Sequence, residues 1–445
     1  MPTFPEGFIW GSATASFQIE GAINADGRSE SIWDRFCATP GAVYAGHTGE
    51  PACRHYELWR SDIALMRDLG LQAYRFSIAW PRVIPGGSGP VNAAGLDFYD
   101  RLVDGLLEAG ITPYATLYHW DLPQGLQDRG GWANREIVDA FAAYADQVAR
   151  RLGDRVKHWI THNEPWCVAF LGHLIGAHAP GIKNDLAATL AAAHHVLLSH
   201  GVAVPLIRAA SAGAQVGATL NFSPAYPASE SPADQAAARR HDGFFNRWFA
   251  DPLYGRGYPP DMLDLYAAQG GMPPIREGDM ATIAVATDFL GVNFYNRAVI
   301  RDAPGAAGLG YESLHPAGEY TDMDWEVYPD ALRALLVRLQ HDYDPPLLLV
   351  TENGAAYPDQ IAANGSVPDP AREQYLRSHL AATQRAIDEG ARLGGYFVWS
   401  LMDNFEWAFG YSKRFGIVYV DYETQVRTPK QSAYFYRDVI AANGF

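Results

Sequence analysis

The chain has 445 residues, of which 48% are hydrophobic, and its 34 basic and 50 acidic side chains give a formal net charge of −16. This charge argues against binding to the phosphates of nucleic acid or to an anionic membrane surface, because both require a basic face. The length suffices for one large core, since single α/β barrels exceed about 250 residues. We therefore expect neither nucleic acid nor membrane among the partners.

The cysteines Cys37, Cys53 and Cys167 are far apart and odd in number. This spacing predicts neither a disulfide framework nor a structural zinc site. The N-terminal segment MPTFPEGFIW lacks the features of a secretory signal, and we find no run close to the roughly 20 apolar residues of a membrane span. Nucleotide, phosphate-loop and zinc-protease motifs are also missing, so we expect no cofactor, no metal and a cytoplasmic location.

Eight apolar, β-branched or aromatic runs recur along the chain and predict buried strands. Their near-continuous apolarity is typical of a parallel sheet that is covered on both faces. The predicted strands are residues 8–16, 73–80, 112–120, 158–165, 214–222, 289–296, 346–354 and 395–404.

Helical periodicity lies between these strands. Residues 57–70 repeat apolar side chains at helical spacing and can end at Gly70, and residues 134–152 do the same behind Asn134 as a predicted N-cap. Eight strands that alternate with helices predict an α/β fold with a single (β/α)8 TIM barrel as one domain over residues 1–445. A doubly wound open sheet is the alternative that the pattern leaves open.

Polar residues gather where the predicted strands end. In (β/α)8 barrels the active site lies at the C-terminal ends of the strands, so these ends predict one shared pocket. The residues are His119, Asn163, Glu164, Asn221, Asn293, Tyr295, Glu352, Asn353 and Asp403.

Two of these strand ends each carry one glutamate, Glu164 in THNEP and Glu352 in TENG. Hydrolysis of a glycosidic bond with retention needs two carboxyl groups about 5–5.5 Å apart, one to protonate the leaving oxygen and one to attack the anomeric carbon. The fourth and seventh strands face each other across a barrel mouth. The aromatic content of 13% also suits a carbohydrate site, where sugar rings stack on aromatic faces.

Longer blocks of the sequence resemble glycoside hydrolase family 1, the β-glucosidase family. The likeness runs from FPEGFIWGSATASFQIEGA at residues 4–22 to RTPKQSAYFY at 427–436, with YRFSIAWPR, LYHWDLP and GYFVWSLMDNFEWAFGYSKRFGIVYVDY in order between them. The resemblance implies a retaining β-glycosidase, most of all a β-glucosidase of carbohydrate metabolism and cellulose degradation. Its expected partners are small β-glycosides and short oligosaccharides.

The resemblance also implies roles for particular residues. Glu164 matches the acid/base and Glu352 the nucleophile, with Arg75 supporting the nucleophile. Trp166 and Trp325 match positions on the aglycone side. The positions that match sugar-binding residues are Gln18, His119, Trp120, Asn163, Asn293, Tyr295, Trp399, Glu406 and Trp407.

Two other functions compete with this interpretation. A 6-phospho-β-glycosidase needs cationic groups near the sixth carbon of the sugar, whereas Glu406 is expected to present a carboxylate that repels phosphate. A catalytically silent sugar-binding barrel is disfavoured because both Glu164 and Glu352 are present. The sequence does not decide between glucose, galactose and fucose, nor the oligomeric state.

Two residues near the acid/base need separate interpretations. His162 stands where the family usually has a hydrophobic residue, and strand alternation predicts that it packs away from Asn163 and Glu164. Cys167 lies three residues after Glu164 without a recognisable base, so we interpret it as a packed, inert thiol.

Overall fold

The computed structural model of the chain describes residues 3–306 and 308–445, so the first two residues of the N-terminal segment lie outside it. Eight parallel strands close into a barrel in the order β1-β11-β10-β7-β5-β4-β3-β2, with strands numbered along the chain. They are β1 (Ile9–Ala13), β2 (Ala73–Ser77), β3 (Thr112–Tyr118), β4 (His158–Asn163), β5 (Gln215–Phe222), β7 (Phe289–Phe294), β10 (Leu348–Asn353) and β11 (Leu393–Trp399).

Helices follow the strands and surround the barrel. The first eight are α1 (Ser16–Ile19), α2 (Ile32–Cys37), α3 (His55–Asp68), α4 (Trp80–Val83), α5 (Ala93–Glu108), α6 (Gln124–Gln127), α7 (Ile137–Leu152) and α8 (Leu186–Ala210). The others are α9 (Pro232–Asp242), α10 (Trp248–Leu253), α11 (Pro260–Ala268), α12 (Asp279–Ile283), α13 (Pro329–Tyr343), α14 (Pro370–Asp388) and α15 (Gln431–Ala442). Two π-helical segments, Cys167–Ile175 and Gly243–Arg247, follow β4 and α9.

Closure of the sheet confirms the predicted barrel and excludes the open doubly wound alternative. The first strand, β1, pairs in parallel with β2 on one side and with the last barrel strand, β11, on the other. A sheet closed in this way has no free edge strand, and its interior fills with side chains. All eight predicted strands are present, each within a few residues of the expected bounds.

The predicted helix ends were right for α3 and wrong for α7. Gly70 follows α3 with φ of +72°, a left-handed conformation that glycine adopts without steric cost. Helix α7 begins at Ile137 rather than next to Asn134, and its N-cap is Glu136. The Asn134 side chain instead accepts from the backbone N–H of Glu136, because a short turn at residues 131–133 precedes the helix.

One helix of the described chain, α8, is long and apolar enough to cross a membrane by length and composition alone, which the sequence analysis did not anticipate. In its most apolar window 78% of the residues are buried, and the helix packs against α7 on the outside of the barrel. Such burial is typical of a core helix in a large α/β protein.

Two small sheets lie outside the barrel and were not predicted from the sequence. One is formed by β6 (Ala225–Pro227), β8 (Ala298–Asp302) and β9 (Tyr311–Leu314), and the other by β12 (Val418–Val420) and β13 (Arg427–Pro429). Their strands are short and partly exposed, so they lack the continuous apolar runs that mark the barrel strands.

A buried ionic cluster anchors the loop that follows β11. Lys430 lies 2.5 Å from Asp359 and 2.7 Å from Asp403, and its side chain is fully buried. Arg372 pairs with Asp359 and Asp369, and Arg414 pairs with Asp403. Three cations thus balance three carboxylates. Because Asp403 also accepts from the backbone of residue 416, the cluster fixes the chain just before Glu406.

We expect Lys430→Met to destabilise the fold by about 3–5 kcal/mol, because it leaves one uncompensated negative charge in a buried cluster. Arg67→Met is the control, since the ion pair between Arg67 and Asp68 is exposed and should contribute at most about 1 kcal/mol. Thermal and denaturant unfolding of both variants measures the difference. Equal losses would contradict a structural role for the cluster.

Candidate active site

A cavity of about 660 Å³ opens at the C-terminal ends of the barrel strands. This volume is in the range of small-molecule sites in proteins. Most of the residues predicted for the site line it: His119, Trp120, Glu164, Trp166, Asn293, Tyr295, Trp325, Glu352, Trp399, Glu406 and Trp407. The sequence prediction of one pocket shared by several strand ends is therefore confirmed.

Glu352, at the end of β10, is held by one cation and one phenol. The Arg75 guanidinium reaches across the barrel from β2 and donates to Glu352 Oε1 at 2.6 Å. The Tyr295 hydroxyl donates to Oε2 at 2.7 Å. Both carboxylate oxygens thus accept hydrogen bonds. The contact between Arg75 and Glu352 is also an ion pair, and both side chains are almost fully buried.

Glu164 follows β4 and forms no ion pair with the residues that the structure describes. Asn293 Nδ2, from the end of β7, donates to its Oε1 at 2.6 Å. The thiol of Cys167 donates to its Oε2 at 3.0 Å. Cys167 is buried, as the sequence analysis predicted, and its sulfur also contacts the carboxyl group that the sequence analysis singled out.

The two carboxyl groups differ in acidity for identifiable reasons. Burial, followed by the negative charge of Glu352, raises the pKa of Glu164 to about 7. Burial also raises the pKa of Glu352, but the Arg75 charge and the Tyr295 hydroxyl oppose that rise. Glu352 is therefore the more acidic of the pair, and near neutral pH the shared proton resides on Glu164. One ionised and one protonated carboxyl group is the state that a retaining glycosidase needs.

A third carboxyl group, Glu406, lines the same cavity. Burial and then the charge of Glu352, with that of Glu164 when it is ionised, raise its pKa to about 8. Its Oε2 has no hydrogen-bond partner in residues 3–306 and 308–445. The raised pKa favours the protonated form of Glu406 near neutral pH, whereas a charged carboxylate was expected from the sequence. The cause is its burial beside two other acids, which only the fold reveals.

Gln18, Arg75 and Asn163 are fully buried and lie behind the lining of the cavity as the described structure defines it. Asn163 Oδ1 accepts from Arg75 at 2.6 Å and from Asn293 at 3.0 Å. Its amide nitrogen donates to His119 Nε2 at 3.1 Å. Asn163 therefore links Arg75, which pairs with Glu352, to Asn293, which donates to Glu164.

His119 and Gln18 each keep one polar atom without a partner in the described chain, namely His119 Nδ1 and Gln18 Oε1. Burial and the Arg75 charge hold the pKa of His119 well below its usual range, so the ring is neutral. Because its Nε2 accepts from Asn163, its proton sits on Nδ1, which can donate to a hydroxyl. The amide of Gln18 is oriented by hydrogen bonds to Asn404 and to the carbonyl oxygen of Phe405.

Aromatic rings form the walls of the cavity. Trp120 and Trp407 pack with ring centroids 4.6 Å apart, and Trp325 lies 5.1 Å from Tyr295. On the outer wall Trp166 stacks against Phe245 at 4.2 Å. Flat apolar faces beside hydroxyl-binding groups suit sugar rings, which present both kinds of surface.

Strained backbone marks three site residues. Trp120, Glu164 and Trp407 have φ values of +78°, +50° and +46°, which side chains with a Cβ rarely adopt. Such conformations persist where surrounding contacts impose them, and they are frequent at active sites. The turn at Glu164 ends β4 and begins the helical segment that carries Cys167.

Several lining residues were missed or left without a role in the sequence analysis. Asn221 was noted as a strand end, and Cys167 could have been found from its helical i, i+3 spacing to Glu164. Phe245, Phe409 and Phe415 carry no sequence motif that distinguishes them from core aromatics.

His162 packs as predicted, since its ring stacks on Phe141 and its Nε2 bonds to Ser199. Within the described ranges no group of three His, Cys, Asp or Glu residues could hold a metal ion.

Comparisons with known proteins agree along the whole chain. The model for glycosyl hydrolase family 1 matches residues 1–445. Beta-glucosidase A of Acetivibrio thermocellus is 49% identical over 446 residues, covering 100% of this chain and 99% of the relative. The solved family 1 β-glucosidase of Thermotoga maritima superposes with a TM-score of 0.97 at 47% identity, covering 100% of this chain and 99% of that one. The same enzyme has been solved in complex with deoxynojirimycin, with a TM-score of 0.97 and full coverage of both chains.

We expect Tyr295→Phe to move the acidic limb of the activity–pH profile upward by about one pH unit. Loss of the hydroxyl donor destabilises ionised Glu352 and so raises its pKa, which lowers activity at acid pH. Tyr343→Phe is the matched control, because Tyr343 donates to a carboxylate, that of Asp251, outside the site. An acidic limb that stays in place for Tyr295→Phe would mean that the phenol does not support Glu352.

Proposed function

Because the chain belongs to glycosyl hydrolase family 1, we infer that it is a retaining β-glucosidase. It hydrolyses terminal, non-reducing β-D-glucosyl residues by double displacement through a covalent glycosyl-enzyme. The observation that carries this function is the unequal pair of buried carboxyl groups. Glu352 contacts Arg75 and Tyr295, whereas among the described residues Glu164 makes no ion pair. The agreement with β-glucosidases over the full chain supports the same conclusion.

In the first step, ionised Glu352 attacks the anomeric carbon while the bond to the leaving oxygen breaks. Glu164 transfers its proton to that oxygen, so the leaving group departs as a neutral alcohol. An ester now joins Glu352 to the sugar. The charge of Glu352 has disappeared, and with it the second largest cause of the high pKa of Glu164.

In the second step, a water molecule attacks the anomeric carbon from the side that the leaving group vacated. Glu164 is now the stronger acid and stays ionised, so it can accept the proton of this water as a general base. The bond between Glu352 and the sugar breaks, and both carboxyl groups return to their starting protonation states. Arg75 and Tyr295 stabilise the carboxylate that leaves.

The sugar-binding groups proposed for this reaction are those with free polar atoms or flat aromatic faces in the cavity or directly behind its lining. His119 Nδ1, Gln18 Oε1 and Glu406 Oε2 lack partners among the described residues, and Trp399 and Trp407 supply apolar surface. On the aglycone side, Trp166, Trp325 and Phe245 give a largely apolar wall. This composition suits aryl glycosides and short β-linked glucan oligosaccharides, and it supports the proposal that the enzyme acts late in cellulose breakdown.

A reducing, cytoplasmic location belongs to the same proposal. The three cysteines are free and buried, and they form no disulfide that would require an oxidising compartment. Fractionation of the source cells with an activity assay on an aryl β-glucoside tests this location. Activity confined to the medium would contradict it.

A panel of nitrophenyl glycosides tests the function directly. We expect the β-glucoside to be hydrolysed, the α-glucoside to be inert, and the β-glucoside 6-phosphate to be a poorer substrate than the unphosphorylated compound. Proton NMR of the early product should show β-glucose before mutarotation. Early release of α-glucose, or activity only on the phosphorylated substrate, would contradict the proposal.

We expect Glu352→Ala to abolish hydrolysis of an aryl β-glucoside, by at least about 10³-fold, while leaving the fold intact. Azide should restore turnover and give an α-glucosyl azide, because a small anion fills the space of the missing carboxylate. Glu326→Ala is the control for loss of a buried carboxylate at the cavity rim, since Glu326 pairs with Arg297. A β-configured azide would move the nucleophile to another residue.

A further inference from the structure

The carboxyl group of Glu164 is held at both oxygens by neutral donors. Asn293 reaches Oε1 from the end of β7, whereas Cys167 reaches Oε2 from the helical turn that Glu164 itself begins. The backbone N–H of Cys167 also donates to the carbonyl oxygen of Glu164 at 3.0 Å, so this turn fixes the sulfur relative to the carboxyl group. Glu164 and Cys167 are only 6% and 7% exposed.

The sulfur has a second polar neighbour on the other side. Asn221 Nδ2, from β5, lies 3.6 Å from Cys167 Sγ. Burial, followed by the charge of Glu164, raises the pKa of the Cys167 thiol well above its usual range, so the thiol keeps its proton. A neutral thiol in this position is a hydrogen-bond donor to Glu164 and not a nucleophile.

Resting on the proposed function, we propose that Cys167 is a positioning residue for the general acid/base. Its S–H donates to Glu164 Oε2 while Asn293 holds Oε1, so that the carboxyl group is fixed at both oxygens between the two reaction steps. Oriented donors of this kind preserve the geometry that proton transfer requires. The thiol acts through Glu164 and makes no bond to the substrate.

A thiol suits this position because Glu164 must alternate between a protonated and an ionised state. A sulfhydryl is a weak donor and its sulfur a weak acceptor. When Oε2 carries a proton, the S–H can therefore turn away at little cost, and when Glu164 is ionised it donates again. A strong fixed donor would favour the ionised state and weaken Glu164 as an acid.

The pH dependence of Glu164 depends on the other charged and titratable groups around it as well. These are Arg75 on β2, His119 after β3, Tyr295 after β7, Glu352 on β10 and Glu406 after β11. None of them is altered when Cys167 is replaced. A change in the basic limb of the profile on replacing Cys167 therefore reports the lost donor.

The test compares Cys167→Ala and Cys167→Val, which lack a donor, with Cys167→Ser, which retains one. For each, kcat/KM of an aryl β-glucoside is measured against pH. Loss of the donor destabilises ionised Glu164, so the basic limb should move upward by about half a pH unit in the Ala and Val variants. In the Ser variant the limb should stay at the wild-type position or move downward.

Cys37→Ser is the matched control, because Cys37 is a buried thiol on α2 away from the cavity. Its basic limb should equal that of the wild type. If Cys167→Ala does not fold, Cys167→Val keeps a similar volume and still lacks the donor. A basic limb that stays in place in the Ala and Val variants would overturn the proposal. A Ser variant that shifts with them, or that is inactive, would overturn it as well.

Failure of this proposal can be distinguished from failure of the proposed function. If the wild-type enzyme does not hydrolyse β-glucosides, the function is wrong whatever Cys167 does. If Glu164→Gln retains the basic limb on an activated substrate, Glu164 is not the group that titrates. If both of these results are as expected and only the Cys167 series shows no shift, the positioning role alone is wrong.

Discussion

The site depends on one buried guanidinium. Arg75 lies in the barrel interior among groups from three other strands and donates to Glu352, Asn163, Thr116 and the carbonyl oxygen of Thr351. A buried cation is costly unless it is paired and hydrogen-bonded, and these acceptors satisfy that requirement. Because the closed barrel brings β2, β3, β4 and β10 around one axis, a single side chain can meet all of them. Its position beside Glu352 favours the ionised form of that carboxyl group over that of Glu164.

The acidities of Glu164 and Glu406 depend on this placement of the cation beside Glu352. Glu164 is buried near the charge of Glu352 but without its own cation, so it keeps a proton near neutral pH. Glu406 adds a third carboxyl group to the same cavity, and its proton reduces the repulsion among the three. A hydroxyl-rich sugar supplies donors to such oxygens, whereas the aromatic walls receive its apolar faces. The electrostatics of the cavity are thus complementary to a neutral, hydroxylated ligand.

Contacts with the rest of the fold hold the loop that carries Glu406 in place. Asp403, three residues before Glu406, belongs to the ionic cluster of Lys430, Arg372 and Arg414. Asn404 accepts a hydrogen bond from Gln18, which follows β1. The C-terminal part of the chain therefore supports the side of the cavity that carries Glu406, since Lys430 lies just before α15. Contacts of this kind hold a site rigid without touching the ligand, which is why catalytic geometry depends on residues far from the chemistry.

By itself the sequence determined the eight strands, the barrel and the positions of Glu164 and Glu352, because apolar runs, helical periodicity and strand-end residues are local properties. Only the tertiary structure decided which donor meets which carboxyl oxygen. Arg75 and Glu352 are 277 positions apart, and no spacing in the chain predicts that their atoms lie 2.6 Å from one another. The same holds for the raised pKa of Glu406, because the three acids that meet in the cavity come from distant parts of the chain. The contact of Cys167 with Glu164 is local, yet its geometry depends on the left-handed turn at Glu164 that the folded barrel imposes.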